Sequence, residues 1–236
     1  MNIALIVAFL FFIGSTFGWI LELFYRRLIS GKEWINPGFL SGPYLPIYGF
    51  ALCILFALSF IDMSFIPNPI LQTVMIIIFM GISITFIEYI AGMIFIKGMH
   101  VKLWDYSDMW GNIQGIICPL YTFFWCILGA IYYFFIQTHI INALTWLSNN
   151  LAFSFVIGFF FGLLTIDVVH SMNLVVKLRK FAKENDILLK FEELKNNIRE
   201  DQKRRKEKFN FIFAFKTTKK LADTLAEYKN KYHNRK

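Results

Sequence analysis

Apolar residues dominate five long runs of the chain, and short polar or proline- and glycine-rich stretches separate these runs. A helix needs about 20 residues to cross the hydrocarbon layer of a membrane. The pattern therefore predicts an all-α integral membrane protein with five transmembrane helices. They lie at about residues 3–25, 44–61, 70–96, 116–136 and 151–176. The stretches 62–69 and 137–150 are predicted to be loops.

The tail, residues 177–236, has a different pattern from the five runs. Apolar residues recur there at helical spacing among charged ones, which predicts an amphipathic helix. These residues are Ile187, Leu188, Phe191, Leu194 and Ile198. Residues 221–232 predict a second, short polar helix. We therefore expect two domains, a transmembrane domain over residues 1–176 and a helical tail over residues 177–236.

A basic and aromatic segment lies between these two tail helices. Its members are Lys203, Arg204, Arg205, Lys206, Lys208, Phe209, Phe211, Phe213 and Phe215. The stretch from Phe209 to Phe215 is too short to cross a membrane, whereas basic residues beside aromatic ones suit an anionic membrane surface. The segment is therefore predicted to lie on the membrane surface.

Composition agrees with a membrane protein and predicts its orientation. Hydrophobic residues make up 57% of the chain, and 28 of its 236 residues are phenylalanine. A soluble protein of this length could not bury so many apolar side chains in a single core. Five of the 24 lysines and arginines precede residue 177, all in alternate loops, and the other 19 lie after Val176. Because cytoplasmic loops carry the excess of Lys and Arg, we predict the N-terminus outside and the tail inside. The net charge of +8 then belongs to a cytoplasmic tail and does not indicate a nucleic-acid partner.

The sequence predicts neither a cofactor nor a metal site. Cys53, Cys118 and Cys126 lie in or beside apolar runs and form no Cys-x-x-Cys pair, which favours packing roles. The spacing of His, Cys and Asp residues matches no zinc site.

A spacing that occurs twice predicts an internal repeat. It is shared by Trp34, Asn36 and Pro43 and, 76 residues later, by Trp110, Asn112 and Pro119. An apolar run with one glutamate precedes each copy, Glu22 before the first and Glu88 before the second. Prolines and glycines in the loops prevent neighbouring helices from running through. Helices 1–2 and 3–4 are therefore predicted to form a parallel two-helix repeat.

The first predicted helix places Gly14, Gly18 and Glu22 on one face. Small residues let a second helix approach closely, so this face is predicted to pack inside the protein. Glu22 could line a polar pathway there. An ion pair with Arg26, four residues later, explains the same glutamate equally well.

Two further acids lie inside apolar runs. A charge in the bilayer costs about 2.5–3.5 kcal/mol even on the mildest scale, so Glu88 should face a cavity, a partner or another polar group. Asp167 and His170 lie three residues apart on one helix face. They could relay a proton or complete a polar site, or form a structural bridge. Our first hypothesis is that Glu22 and Glu88, and with them Asp167, line a polar site in the cytoplasmic half of a helix bundle; whether the three acids share one site stays open at this point.

The loop before the fourth helix contains Trp104, Asp105, Asp108 and Asn112. The two aspartates, three residues apart among aromatic side chains, could hold a cation or a polar head group. Asn36 of the first loop is a further candidate for a polar site. An aromatic belt at the membrane interface, with aspartates capping local turns, accounts for the same residues.

Several stretches give the chain a family resemblance. They are Gly18-Trp19-Ile20-Leu21-Glu22, the proline- and glycine-rich run 36–49, Phe86-Ile87-Glu88-Tyr89, the run 103–108 and Asn112-Ile113-Gln114-Gly115. Over about residues 10–135 the chain resembles the bacterial family named "putative ABC transporter permease, type IV". The resemblance implies a permease-like component of the bacterial cytoplasmic membrane, of unknown substrate.

The resemblance also implies a partner. The sequence has no Gly-x4-Gly-Lys-Ser/Thr phosphate loop, so a permease of this kind needs a separate cytoplasmic ATPase. Loops 26–43 and 97–115 are the docking candidates. Five spans are fewer than those of a usual ABC half, and a homodimer would supply the remainder. The residues leave two other functions open: a membrane enzyme acting on a lipid or lipid-linked substrate, with Glu88 or His170 as base, or a non-catalytic assembly or sensory subunit.

Overall fold

The computed structural model describes residues 2–29, 34–205, 207, 211, 215 and 219–233, with side chains up to residue 230. Within these residues the chain is mainly helical. The α-helices are α1 (Ile3–Leu28), α2 (Pro46–Leu58), α3 (Pro69–Met93), α4 (Pro119–Ile131), α5 (Gln137–Asn149), α6 (Ser154–Glu184), α7 (Phe191–Arg204) and α8 (Leu221–His233). A π-helical turn, Ile94–Gly98, continues α3, and a second one, Tyr132–Ile136, joins α4 to α5.

Two short strands depart from the all-α prediction. β1 (Val101–Lys102) and β2 (Leu189–Lys190) pair in parallel, with Val101 opposite Leu189. The amide of Leu189 donates a hydrogen bond of 3.2 Å to the carbonyl of His100. The pair links two segments far apart in sequence, which helical periodicity could not indicate.

Four helical segments are long and apolar enough to cross a membrane. They are Ile3–Leu28, Pro69–Gly98, Pro119–Asn149 and Leu151–Glu184. The remaining predicted span, residues 44–61, contains α2 with 13 residues. At about 1.5 Å of rise per residue, α2 is shorter than a hydrocarbon layer of about 30 Å. The described residues thus contain four candidate spans by length and composition, and the count of five stays a prediction.

The predicted loop at residues 137–150 is wrong, because Gln137–Asn149 forms helix α5. Polar residues such as Gln137 and His139 interrupt the hydrophobic run, but the helical periodicity continues. Ile140, Leu144 and Leu147 lie on one face and are buried in the core. Burial of this face stabilises the helix despite its polar positions.

The chain divides into two compact units. Unit 1 consists of Met1–Trp19, Tyr44–Ala91 and Tyr106–Thr165. Its buried core contains Phe9, Leu10, Ala51, Leu55, Ile76, Met80, Ile84, Tyr132, Ile140, Leu144, Leu147 and Ile157. Many other apolar side chains of its helices are exposed, such as Phe86, Phe123 and Phe134. Exposed apolar side chains on these long helices suit contact with lipid.

The predicted packing of the small-residue face of α1 is confirmed within unit 1. A Cβ atom added at Gly18 would lie 2.1 Å from the Cβ of Tyr48 on α2, and one at Gly14 would lie 2.7 Å from the Tyr48 carbonyl oxygen. Only glycine permits this approach. Helices α3 and α4 meet similarly, since a Cβ at Gly81 would lie 2.2 Å from the Cys126 sulfur.

Unit 2 consists of Ile20–Pro43, Gly92–Asp105 and Ile166–Lys236. Its core contains Val101, Val175, Leu178, Ala182, Ile187, Leu189, Phe191, Leu194, Ile198, Leu225 and Tyr228. Within the stretch that predicts an amphipathic helix, Phe191–Arg204 forms α7, whereas Ile187 and Leu188 precede it. The short helix predicted at residues 221–232 is confirmed as α8. The predicted boundary between residues 176 and 177 stays a prediction.

Candidate functional site

Glu88 on α3 is buried, with 4% of its surface exposed. The phenol of Tyr106 donates a hydrogen bond of 3.0 Å to its Oε1 atom, and the indole of Trp125 donates one of 2.8 Å to Oε2. Each carboxylate oxygen therefore has a donor, as a buried polar group requires. These donors come from the loop before α4 and from α4 itself.

Aromatic rings surround the two donors of Glu88. The ring of Tyr106 stacks on Tyr121 with centroids 4.2 Å apart, and Tyr48 lies against Trp125 at 5.5 Å. Thr85 lies one turn before Glu88 on α3, and its hydroxyl is 3.2 Å from the hydroxyl of Thr122 on α4. The result is a polar cluster, defined here as the Glu88 cluster, inside the apolar helices of unit 1. The carboxyl group of Glu88 thus faces other polar groups inside the protein.

Glu22 forms the predicted ion pair with Arg26, with Nε and Oε1 2.7 Å apart. A second guanidinium nitrogen of Arg26 lies 2.7 Å from Oε2 of Glu192 on α7. The guanidinium thus bridges a glutamate of its own helix and one of the tail. The structural alternative for Glu22 is therefore confirmed, and its role in a pathway stays a prediction.

The carboxylate of Asp167 accepts hydrogen bonds from the first loop. The amide of Ser41 donates to Oδ1 at 3.1 Å and the amide of Gly42 to Oδ2 at 2.7 Å. The hydroxyl of Ser171 donates a further bond of 2.9 Å. Asp167 therefore orients the turn before Pro43, whereas His170 is exposed on the same helix.

Lys195 and Arg199 on α7 hold the other side of the loop, which we define as residues 34–43. The Lys195 ammonium donates to the carbonyls of Asn36 at 3.0 Å and Gly38 at 2.6 Å, and Arg199 donates to the Trp34 carbonyl at 3.0 Å. Burial lowers the pKa of Lys195, while the nearby Glu192 carboxylate raises it and Arg26 lowers it further. The charged form of Lys195 is thus stabilised in its buried position by the two carbonyls and the Glu192 carboxylate that accept its hydrogen bonds.

The two predicted asparagines shape their own loops. The amide nitrogen of Asn36 donates to the carbonyls of Leu40 at 3.1 Å and Ser41 at 2.8 Å. Asn112 donates to the Met109 carbonyl at 2.8 Å and accepts from the Gly115 amide at 2.9 Å. Both side chains substitute for missing backbone partners in tight turns.

The aspartates of the second loop differ in their surroundings. Asp105 lies 2.6 Å from the Lys102 ammonium and 2.7 Å from that of Lys190, so it joins the segments that carry β1 and β2. Asp108 is exposed, and Trp104 is half-buried. In the described chain, no group of three or more His, Cys, Asp or Glu residues is arranged to hold a metal ion.

The predicted membrane-surface segment is described only in part. Lys203 and Arg204 are exposed at the end of α7, and Arg205 pairs with Asp201 at 3.0 Å and Glu207 at 2.9 Å. Phe211 is half-buried, and Phe215 packs 5.1 Å from the ring of Phe191. The remaining predicted members lie outside the described residues: Lys206, Lys208, Phe209 and Phe213.

Comparison with known proteins gives one match. Residues 9–172, more than two thirds of the chain, match the model of the family described as "Putative ABC-transporter type IV". The match extends beyond the predicted range of 10–135 and includes most of the apolar part of α6. No curated protein and no solved structure matches the chain.

Proposed function

The chain belongs to the family described as "Putative ABC-transporter type IV" and is therefore a multi-pass membrane protein related to transport. We propose that it is the permease-like membrane component of an ABC system. The Glu88 cluster is the observation that carries this proposal. A carboxylate inside a membrane-spanning helix is costly and is retained mainly where a site uses it. Glu88 is thus the proposed substrate-pathway residue.

The other two acids have a different proposed role. Glu22 neutralises Arg26, and Asp167 binds two amides of loop 34–43. The contacts of Asp167 are those of a residue that positions a loop, whereas Glu22 fixes a guanidinium at the end of its own helix. We therefore assign the pathway to Glu88, the positioning of the loop to Asp167, and an ion pair at the end of α1 to Glu22.

The proposed topology has the N-terminus outside and the tail in the bacterial cytoplasm. Its support is the distribution of Lys and Arg among the loops and the rule that such loops stay inside. Loop 34–43 and the loop around Trp104 then face the cytoplasm. They are the proposed docking surfaces of a separate ATPase.

The proposed repeat gains support from α2 and α4, which have 13 residues each. Seven of the 13 positions are identical when Pro46 is aligned with Pro119. The identical pairs are Pro46 and Pro119, Tyr48 and Tyr121, Phe50 and Phe123, Cys53 and Cys126, Ile54 and Ile127, Leu55 and Leu128, and Ala57 and Ala130. A parallel repeat with a second copy of the chain would supply the spans of a complete transporter.

A functional test compares Glu88→Gln with Asp62→Asn. Each variant is expressed in a strain that lacks the gene for this protein and therefore has a growth or export defect. Asp62 is an exposed carboxylate bonded to Ser64 in the loop before α3. The proposal expects Glu88→Gln to lose function at normal membrane levels and Asp62→Asn to keep it. Full function of Glu88→Gln would remove the support that the Glu88 cluster gives.

A further inference from the structure

The loop 34–43 exposes backbone carbonyls to cations of the tail. The carbonyls of Trp34, Asn36 and Gly38 accept bonds from Arg199 and Lys195 of α7. Backbone carbonyls that lack a helix or strand partner need other donors when they are buried. Here the donors come from a segment about 160 residues later in the chain.

The ammonium group of Lys195 has the right number of donors to bond these loop carbonyls. An ammonium group has three N–H donors, and Lys195 has three acceptors: the carbonyls of Asn36 and Gly38 and, at 3.5 Å, the Glu192 carboxylate. The ring of Phe191 lies 5.0 Å from its nitrogen and covers a further side. A planar guanidinium could not reproduce this three-way arrangement.

Glu192 connects the same lysine to the first helix. Its Oε1 lies 3.5 Å from the Lys195 ammonium and its Oε2 lies 2.7 Å from Arg26. Arg26 lies at the end of α1, which leads into the loop. The loop is therefore held at its start by Arg199, in its middle by Lys195, and at its end by Asp167.

We infer that the tail helix α7 shapes loop 34–43 into the surface on which the cytoplasmic ATPase docks, with Lys195 as the positioning residue. This inference rests on the proposed function, since it names what controls that docking surface. Trp34 and Pro43 stay exposed at the two ends of the shaped loop. Exposed tryptophan is a frequent anchor of protein interfaces. The tail thereby becomes part of the docking apparatus.

The experiment measures hydrogen exchange of residues 34–43 in the full-length protein in nanodiscs, together with recovery of the ATPase from native cells. The variants are Lys195→Met and Lys195→Arg, and Lys180→Met is the control. Lys180 is 79% exposed in its side chain and lies 3.9 Å from Glu184. We expect at least tenfold faster exchange of the Ser41 and Gly42 amides in both Lys195 variants, a comparable loss of ATPase recovery, and wild-type behaviour of Lys180→Met.

The outcomes separate the inference from the proposed function. Unchanged loop exchange in Lys195→Met, or faster exchange with undiminished ATPase recovery, overturns the inference. If the amides of α3 also exchange faster, Lys195→Met has unfolded the protein. The variant Arg199→Met, which removes the donor to the Trp34 carbonyl, then tests the inference by the same two measurements. If the wild-type protein recovers no ATPase, the proposed function fails and the docking part of the inference fails with it, whereas the exchange data still decide whether α7 shapes the loop.

Discussion

The indole Nε1 of Trp125 on α4 donates a hydrogen bond of 2.8 Å to the Oε2 atom of Glu88 on α3. This bond joins the two helices of the second proposed repeat unit at a buried carboxyl group. Trp125→Phe keeps an aromatic ring but removes the donor. Loss of a partner from a buried polar group costs about 1–3 kcal/mol, so the thermal midpoint of the purified protein should fall.

The control for that variant is Trp146→Phe on α5. Trp146 is exposed and contacts Phe153 by its ring, which phenylalanine can preserve. A thermal midpoint that falls equally in both variants would show that the hydrogen bond to Glu88 contributes nothing specific.

Gly81→Ala tests the contact between α3 and α4. Its new Cβ would lie 2.2 Å from the Cys126 sulfur and 3.0 Å from the Cys126 amide nitrogen. Helix separation must therefore increase, and we expect a loss of about 1–3 kcal/mol, typical of overpacked cores. Gly158→Ala on α6 is the matched control, because no atom apart from its chain neighbours and the nearby backbone of its own helix lies within 4 Å of its added Cβ. Equal stability of the two alanine variants in a thermal unfolding assay would contradict the packing.

Asp167→Asn tests the anchoring of the loop's end. An amide side chain cannot accept at both former oxygen positions, so the bond to the amide of Ser41 or Gly42 weakens. Hydrogen bonds to charged groups contribute about 1.5–3 kcal/mol. Local hydrogen exchange at these two amides should accelerate by about tenfold or more. His170→Gln, at an exposed site on the same helix, should leave exchange unchanged, and accelerated exchange there would argue against a specific anchor.

The proposed orientation predicts the access of labelling reagents. In a protein with its three cysteines replaced by alanine, Asn2→Cys should react with a membrane-impermeant maleimide added to intact cells. Asn230→Cys on α8 should react only after the membrane is permeabilised. Labelling of Asn230→Cys in intact cells would reverse the topology.

Local spacing was enough to predict part of the site. The ion pair of Glu22 with Arg26 follows from four-residue helical spacing, and the small face of α1 follows from Gly14 and Gly18. By contrast, Asp167 meets the amide of Ser41 from 126 residues away. Such pairings depend on how distant segments pack, which periodicity within one helix does not contain.

The partners of Glu88 show the same limit. Tyr106 lies in the aromatic stretch before α4, and no local spacing in the sequence connects it with Glu88. Trp125 appeared to be one aromatic residue among many on α4. The alignment of Pro46 with Pro119 is a signal that was present in the sequence and missed, because the 76-residue spacing of the tryptophans gave a different register. With that alignment, Trp125 stands where α2 has Leu52, which marks it as unusual.

The most direct measurement is affinity purification of the tagged full-length protein from native cells in mild detergent, with quantitative mass spectrometry of what accompanies it. The account predicts a cytoplasmic ATPase with a phosphate-binding loop in near-stoichiometric amount. Recovery of the protein with itself alone, at normal membrane levels, would contradict its role as the membrane component of an ABC system.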